Sequence, residues 1–263
     1  MPFFSHKSRR RKLATQPVSD SFEQIIRQNF IYDRLLDADE RQRLRGIASV
    51  LIAEKYWEAC GGQSINEEVQ VTIAVQAALL LLELDHDFFS DVQSILVYPG
   101  AYVQQQRDMW AQGPTSDSSS NLGEAWFRGP VILSWADAKH HGQQLGTGHN
   151  LVMHEFAHKL DMLSGYVDGT PPQRTKADYE RWHTVMSSEF ERLCRATQQG
   201  RQTVLRHYGA TNVGEFFAVC TEAFFTNALA LQNENPELYE VLRSYYGQDP
   251  AKRFESVTWH RSI

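Results

Sequence analysis

Two histidines four residues apart, His154 and His158, lie inside the segment Asn150-Leu-Val-Met-His-Glu-Phe-Ala-His-Lys-Leu-Asp-Met-Leu163. Gly148 ends the loop before it, and Asn150 is placed to cap a helix. Residues at this spacing stack on one face of a helix, so both imidazoles can point at one metal ion, at roughly 2.0–2.1 Å per nitrogen for zinc. Glu155 is rotated off their line, close enough to reach a water at that ion without ligating it. Two protein ligands leave a zinc site incomplete, so the fold must bring a third from elsewhere in the chain.

Where the third ligand comes from is less directly written. The extension of the motif with a glycine and a third histidine is absent, because Asp161 and Ser164 occupy those positions. A metzincin is therefore not expected. The segment Asn212-Val-Gly-Glu-Phe-Phe-Ala-Val-Cys-Thr-Glu-Ala-Phe-Phe225 presents Glu215 and Glu222 seven residues apart, on nearly the same face of a second helix. Asn212 followed three residues later by Glu215 also matches a capping box, in which the carboxylate merely ties down backbone donors. Glu222 sits among four phenylalanines, where an ionised carboxylate needs a metal, a histidine or another donor to offset its burial. Either carboxylate could ligate, and residue chemistry leaves both open.

Around these motifs the apolar spacing is mostly helical. Phe22, Ile25, Ile26 and Phe30, and then Leu44, Ile47 and Leu51, recur at three and four residues, and Val69 to Leu84 continues as a strongly apolar helix beyond the Gly61-Gly62 break. Further helices are expected at Asn150–Leu163, Ala177–Ala196, Val213–Gln232 and Pro236–Tyr246. Strands are expected at Val92–Tyr98 and Val131–Trp135, which are β-branched and bounded by Pro99-Gly100 and Gly129-Pro130. The polar stretch from Gln112 to Leu122 reads as an exposed loop. The expected class is α+β, mostly helical with a small central sheet. Its expected parts are a flexible basic terminus over 1–18, a helical part over 19–90 and a catalytic part over 91–263, with one compact unit of the last two as the alternative.

Composition narrows the function classes. At 263 residues and 42% hydrophobic content the chain can bury a core without staples. Three cysteines, Cys60, Cys194 and Cys220, lie far apart without a C-x-x-C pair, which argues against a disulfide framework or a thiolate zinc site and fits the cytoplasm. The apolar run from Ile73 to Leu84 contains Gln76 and Glu83 and is too short to span a bilayer, and no signal-peptide core follows the N-terminal basic run, so neither a membrane protein nor a secreted one is expected. A net charge of −6 argues against nucleic-acid binding by the body of the protein. Only Lys7 to Lys12 points the other way, and we expect a frayed, solvated arm there.

Two motifs, His154-Glu-Phe-Ala-His-Lys-Leu-Asp161 and Tyr208-Gly-Ala-Thr-Asn-Val-Gly-Glu-Phe-Phe-Ala218, make the chain resemble the Mlc titration factor A family of bacterial zinc peptidases, related in its catalytic region to the anthrax lethal factor metalloprotease. Arg128-Gly-Pro-Val-Ile-Leu-Ser-Trp135 and the overall length fit the same family. The resemblance implies a zincin-like catalytic domain of the HExxH plus glutamate type, with Glu215 as the third ligand of one Zn2+ per chain and Tyr208 facing the metal. It also implies peptide substrates, aminopeptidase activity, and association with the Mlc repressor and so with sugar-uptake regulation. A protein that works mainly by binding that repressor, without catalysis, is the alternative. The chain departs from the lethal-factor pattern at Val219, where a glutamate would stand four residues after the ligand. That leaves Glu222 or Asp161 to hold a ligand imidazole through its other nitrogen.

On this reading Glu155 is the general base and later the acid, while the Tyr208 phenol, or failing that His207, donates to the developing oxyanion. Val131 to Trp135 could accept an extended substrate as an added strand.

Overall fold

A computed structural model describes residues 6–100 and 129–259. The described residues fall into two compact units, 6–100 with 129–143, and 144–259. The loop expected at Gln112–Leu122 lies outside the described residues. Among the described residues, no helix is long and apolar enough to cross a membrane. The class is α+β, mostly helical with one small sheet.

In the first unit the elements are α1 (His6–Thr15), α2 (Asp20–Asn29), a 3-10 turn (Ile31–Leu35), α3 (Ala38–Glu54), β1 (Tyr56–Ala59), α4 (Glu67–Leu81), β2 (Ser94–Tyr98), β3 (Val131–Ser134) and α5 (Trp135–Gly142). Its centre is α4, which starts at Asn66, whose Oδ1 accepts the Val69 N–H at 3.0 Å. Twelve of its residues, from Val69 and from Val71 through Leu81, are buried against α2, α3 and α5. A helix apolar on every side has no solvent face to keep, which is why it sits in the middle. Its buried polar groups are neutral and satisfied. Thr72 Oγ1 accepts from Asn29 Nδ2 at 3.0 Å, and Gln76 Nε2 donates to the Ala138 carbonyl at 3.0 Å.

The sheet has the order β1-β2-β3, parallel throughout, with Tyr56 opposite Ser94 and Ile95 opposite Val131. Helix α4 is the crossover that joins β1 to β2, as a parallel pair requires. Strands β2 and β3 lie where their sequence predicts them, whereas β1 has no counterpart among the expected strands. That four-residue strand at one end of the sheet is mostly exposed, so it carries no alternating apolar signal. Pairing with β1 is also why β2 and β3 group with the N-terminal helices.

The basic residues from Lys7 to Lys12 lie on α1. Arg10 donates through Nε and Nη2 to Glu54, each at 2.8 Å, pairs with Asp87, and lies over the Phe88 ring. A side chain at Gly46 would stand 2.4 Å from the Ala14 carbonyl, so glycine is what lets the end of α1 rest on α3.

Among its described residues, the regular elements of the second unit are all helices. It contains α6 (Leu151–Asp161), a 3-10 turn (Met162–Ser164), α7 (Lys176–Gln198), a 3-10 turn (His207–Ala210), α8 (Val213–Thr226), α9 (Ala228–Glu234), α10 (Pro236–Tyr246) and α11 (Pro250–Trp259). The helix expected over Val213–Gln232 is broken at Asn227, whose φ of −138° and ψ of 42° leave the helical region. An aromatic core holds the unit together. Trp182 meets Phe217 edge-on at 5.6 Å, Phe224 stacks on Tyr246 at 5.6 Å, and Thr221 Oγ1 lies 2.8 Å from the Tyr246 hydroxyl. Helices α6 and α8 pack directly on one another.

Candidate metal centre

Asn150 starts α6 as expected, its Oδ1 accepting the Met153 N–H at 3.0 Å. Leu151, Val152, Met153, Phe156, Ala157 and Leu160 bury the packing side of the helix. That leaves His154 and His158 to share the remaining face. Their Nε2 atoms lie 3.2 Å apart, with the rings nearly perpendicular at 83°. From the first turn of α8, Glu215 places Oε2 at 3.0 Å from His154 Nε2 and 3.5 Å from His158 Nε2. One ligand atom from each of the three residues lies within 4.8 Å of the others.

The donor set fits a divalent metal on three grounds. Two nitrogens held tetrahedrally at zinc-like bond lengths would stand roughly 3.3 Å apart, close to the spacing found. Glu215 Oε2 is buried and accepts no hydrogen bond although it lies against an imidazole, which is costly unless another partner answers it. Burial by itself would lower the His154 pKa, but the carboxylates of Glu222 and Glu215 override it and raise it to about 9. Burial would likewise raise the Glu215 pKa, and the two imidazoles hold it well below the usual carboxylate range. The pocket thus favours positive charge at this point, and a divalent cation answers the same field by displacing a proton.

Of the two carboxylates that the sequence leaves open, Glu215 stands in the cluster and Glu222 stands behind it. Glu222 is fully buried. Its Oε1 accepts from His154 Nδ1 at 2.7 Å and from Arg206 Nη2, and its Oε2 accepts the Asn150 N–H at 2.6 Å. Burial would push its carboxyl up, yet His154 and Arg206 hold it below its ordinary value and therefore ionised. A ring that gives its Nδ1 proton to Glu222 has its Nε2 lone pair free to face the cluster. Asp161, the other residue considered for that task, instead accepts the Gly169 N–H at 2.9 Å and so serves the following loop. Burial raises its pKa to about 6 despite that donor.

Glu155 is half-buried on α6, and its charge is among those acting on His154. Tyr208 is partly exposed, with its ring centroid 5.9 Å from that of His154. His207 is directed elsewhere, its Nε2 lying 2.9 Å from the Arg201 carbonyl oxygen. Sequence analysis misses Arg206, which joins Glu222 and also lies 5.9 Å from the Tyr208 ring. A single arginine in a loop carries no spacing signal that could have found it. It likewise reads Asn150 only as a cap, whereas its backbone N–H also satisfies Glu222.

The chain is similar to known proteins along most of its length. The chain is 34% identical over 244 residues to an uncharacterized protein of Synechocystis sp., covering 92% of this chain and 89% of the relative. It is 32% identical over 232 residues to Mlc titration factor A of Serratia proteamaculans, covering 84% and 85%. It is 30% identical over 233 residues to Mlc titration factor A of Yersinia pestis, covering 87% and 84%. Residues 4–247, which include the whole His154, His158 and Glu215 cluster, match the profile of the glucose-regulated metallo-peptidase M90 family, and the chain belongs to that family.

Proposed function

We propose that this metallopeptidase is a zinc-dependent aminopeptidase of the cytoplasm, with one Zn2+ held by His154, His158 and Glu215. The observation that carries the reading is the convergence of two imidazole nitrogens and a buried carboxylate oxygen on one point, backed by Glu222 on His154 Nδ1. Two nitrogens and one carboxylate oxygen are a donor set suited to zinc with a coordination position left over. When bound, the ion supplies Lewis acidity toward water and toward a peptide carbonyl. Glu155 takes the proton from the attacking water and returns it to the leaving amine. The Tyr208 phenol donates a hydrogen bond to the carbonyl oxygen as negative charge develops there, a role that the position of its ring supports. The free state of the cysteines supports a reducing compartment.

The test is a paired substitution. Glu155→Gln is expected to lower peptide hydrolysis by about 10²–10⁴-fold with metal content unchanged, whereas Glu215→Ala is expected to lose metal on dialysis. Retained turnover in the first variant, or retained metal in the second, overturns the assignment. Peptides with free and blocked N-termini decide the exopeptidase reading, which predicts turnover of the free forms alone.

The names of the Serratia and Yersinia relatives support a second activity, binding of the Mlc repressor. Capture of Mlc by the Glu155→Gln protein would separate that binding from hydrolysis, and absence of capture removes it.

A further inference from the structure

Among the described residues, exposed large apolar side chains are unevenly spread. Seven are found among the described residues, and five of them, Leu163, Tyr166, Val167, Tyr208 and Val213, lie on the two segments that border the metal cluster. Residues 163–167 follow the helix that carries His158, and residues 208–213 lead into Glu215. The two segments touch. A side chain at Gly214 would stand 3.2 Å from Val167 Cγ1, and one at Gly169 would stand 2.5 Å from the Val213 carbonyl oxygen.

This loop is held by specific contacts. Asp161 Oδ2 accepts the Gly169 N–H at 2.9 Å, Trp182 Nε1 donates to the Gly169 carbonyl at 3.0 Å, and Ser164 Oγ donates to the Asp161 carbonyl at 3.1 Å. Gly169 adopts a φ of +72°, which together with the approach of Val213 leaves room for no side chain. The result is that Tyr166, 73% exposed, and Val167, 53% exposed, are presented to water on an ordered frame. Folding gains nothing from apolar groups so placed, and a contiguous group of them marks a binding surface.

We propose that Leu163, Tyr166, Val167 and Val213 form an apolar subsite beside the metal centre, selecting peptides with a large apolar side chain next to the scissile bond. The inference rests on the peptidase reading above. The occupant follows from continuity with the cluster, because Val213 and Gly214 immediately precede Glu215 and the Tyr208 ring lies 5.9 Å from His154. An extended chain advances about 3.3 Å per residue, so the residues flanking a bond at the cluster are the ones within reach of this wall. Met162 to Val167 contains no charged residue, and Asp168 after it is acidic, so an acidic substrate side chain would find no ionic partner on this stretch.

The experiment uses two peptides that differ only in carrying Leu or Ser beside the scissile bond, with each flanking position tested in turn. The native protein is expected to favour Leu by about tenfold or more in kcat/KM. In the Tyr166→Ser, Val167→Ser double variant that ratio is expected to fall toward one, and Leu163→Ser should lower it by less. Equal cleavage of the two peptides, or a preference that survives the substitutions, overturns the subsite while leaving the peptidase standing. A patch that serves another protein gives this second result. Should neither peptide be cleaved, the peptidase reading fails and calorimetric binding to zinc-loaded Glu155→Gln protein decides the subsite alone. About tenfold tighter binding of the Leu peptide, lost in the double variant, supports it, and equal affinities overturn it.

Discussion

Helices α4 and α8 are both buried on nearly every side, yet they tolerate polarity in different ways. In α4 the buried polar residues are Thr72 and Gln76, neutral groups whose hydrogen bonds go to Asn29 and to the Ala138 carbonyl. In α8 the buried polar residues include Glu222, an ionised carboxylate met by an imidazole, a guanidinium and a backbone N–H. A neutral amide costs little to bury once it is bonded. A buried charge costs several kcal/mol, and its partners rarely return more than that. The first arrangement is an ordinary way to join helices. The second makes sense where a charge must aim a ring, because the orientation of His154 is set through its Nδ1.

This contrast can be broken by substitution. Glu222→Ala should have the largest effect, leaving the His154 Nδ1–H, the Asn150 N–H and Arg206 without their acceptor. We expect a loss of about 3–5 kcal/mol in denaturant unfolding and about 10–100-fold weaker metal binding by chelator competition. Unchanged metal affinity would reduce Glu222 to a structural group and erase the difference between the helices. Gln76→Leu in α4 should cost less, about 0.5–1.5 kcal/mol, since it removes one hydrogen bond to the Ala138 carbonyl, which keeps its place in its own helix. It should leave metal affinity where it was.

The smallest effects sharpen the comparison most. Asn66 caps α4 through the Val69 N–H, and Asn212 caps α8 through the Glu215 N–H at 2.9 Å. Either Asn→Ala change should cost about 1 kcal/mol of stability. Only Asn212→Ala should also weaken metal retention, because the backbone it holds is that of the proposed ligand, Glu215. Equal metal retention in the two variants would show that the cap does not help to place Glu215.

Several features were legible before any coordinates because they are local. The imidazoles of His154 and His158 had to share a face once their segment was helical, and Asn150 and Asn212 announced helix starts by their chemistry. The runs at Val92–Tyr98 and Val131–Trp135 were visible as strands because they carry clustered β-branched residues. Strand β1 was not, since an exposed strand at the sheet's end needs no apolar face. The break at Asn227 was also hidden, because apolar residues continue across it in helical spacing.

The site divides along the same line. Helical spacing determined that two imidazoles and the Glu155 carboxylate would share one turn, and family resemblance pointed to Glu215 and Tyr208. Spacing could not choose between Glu215 and Glu222, which lie seven residues apart on nearly one face. The packing of α8 on α6 decided it, bringing the first turn of α8 to the Nε2 side of His154 and Glu222 to the Nδ1 side. Arg206 and the Asn150 N–H entered only then. Partners of a buried charge are selected by proximity in three dimensions, and sequence separation carries no record of it.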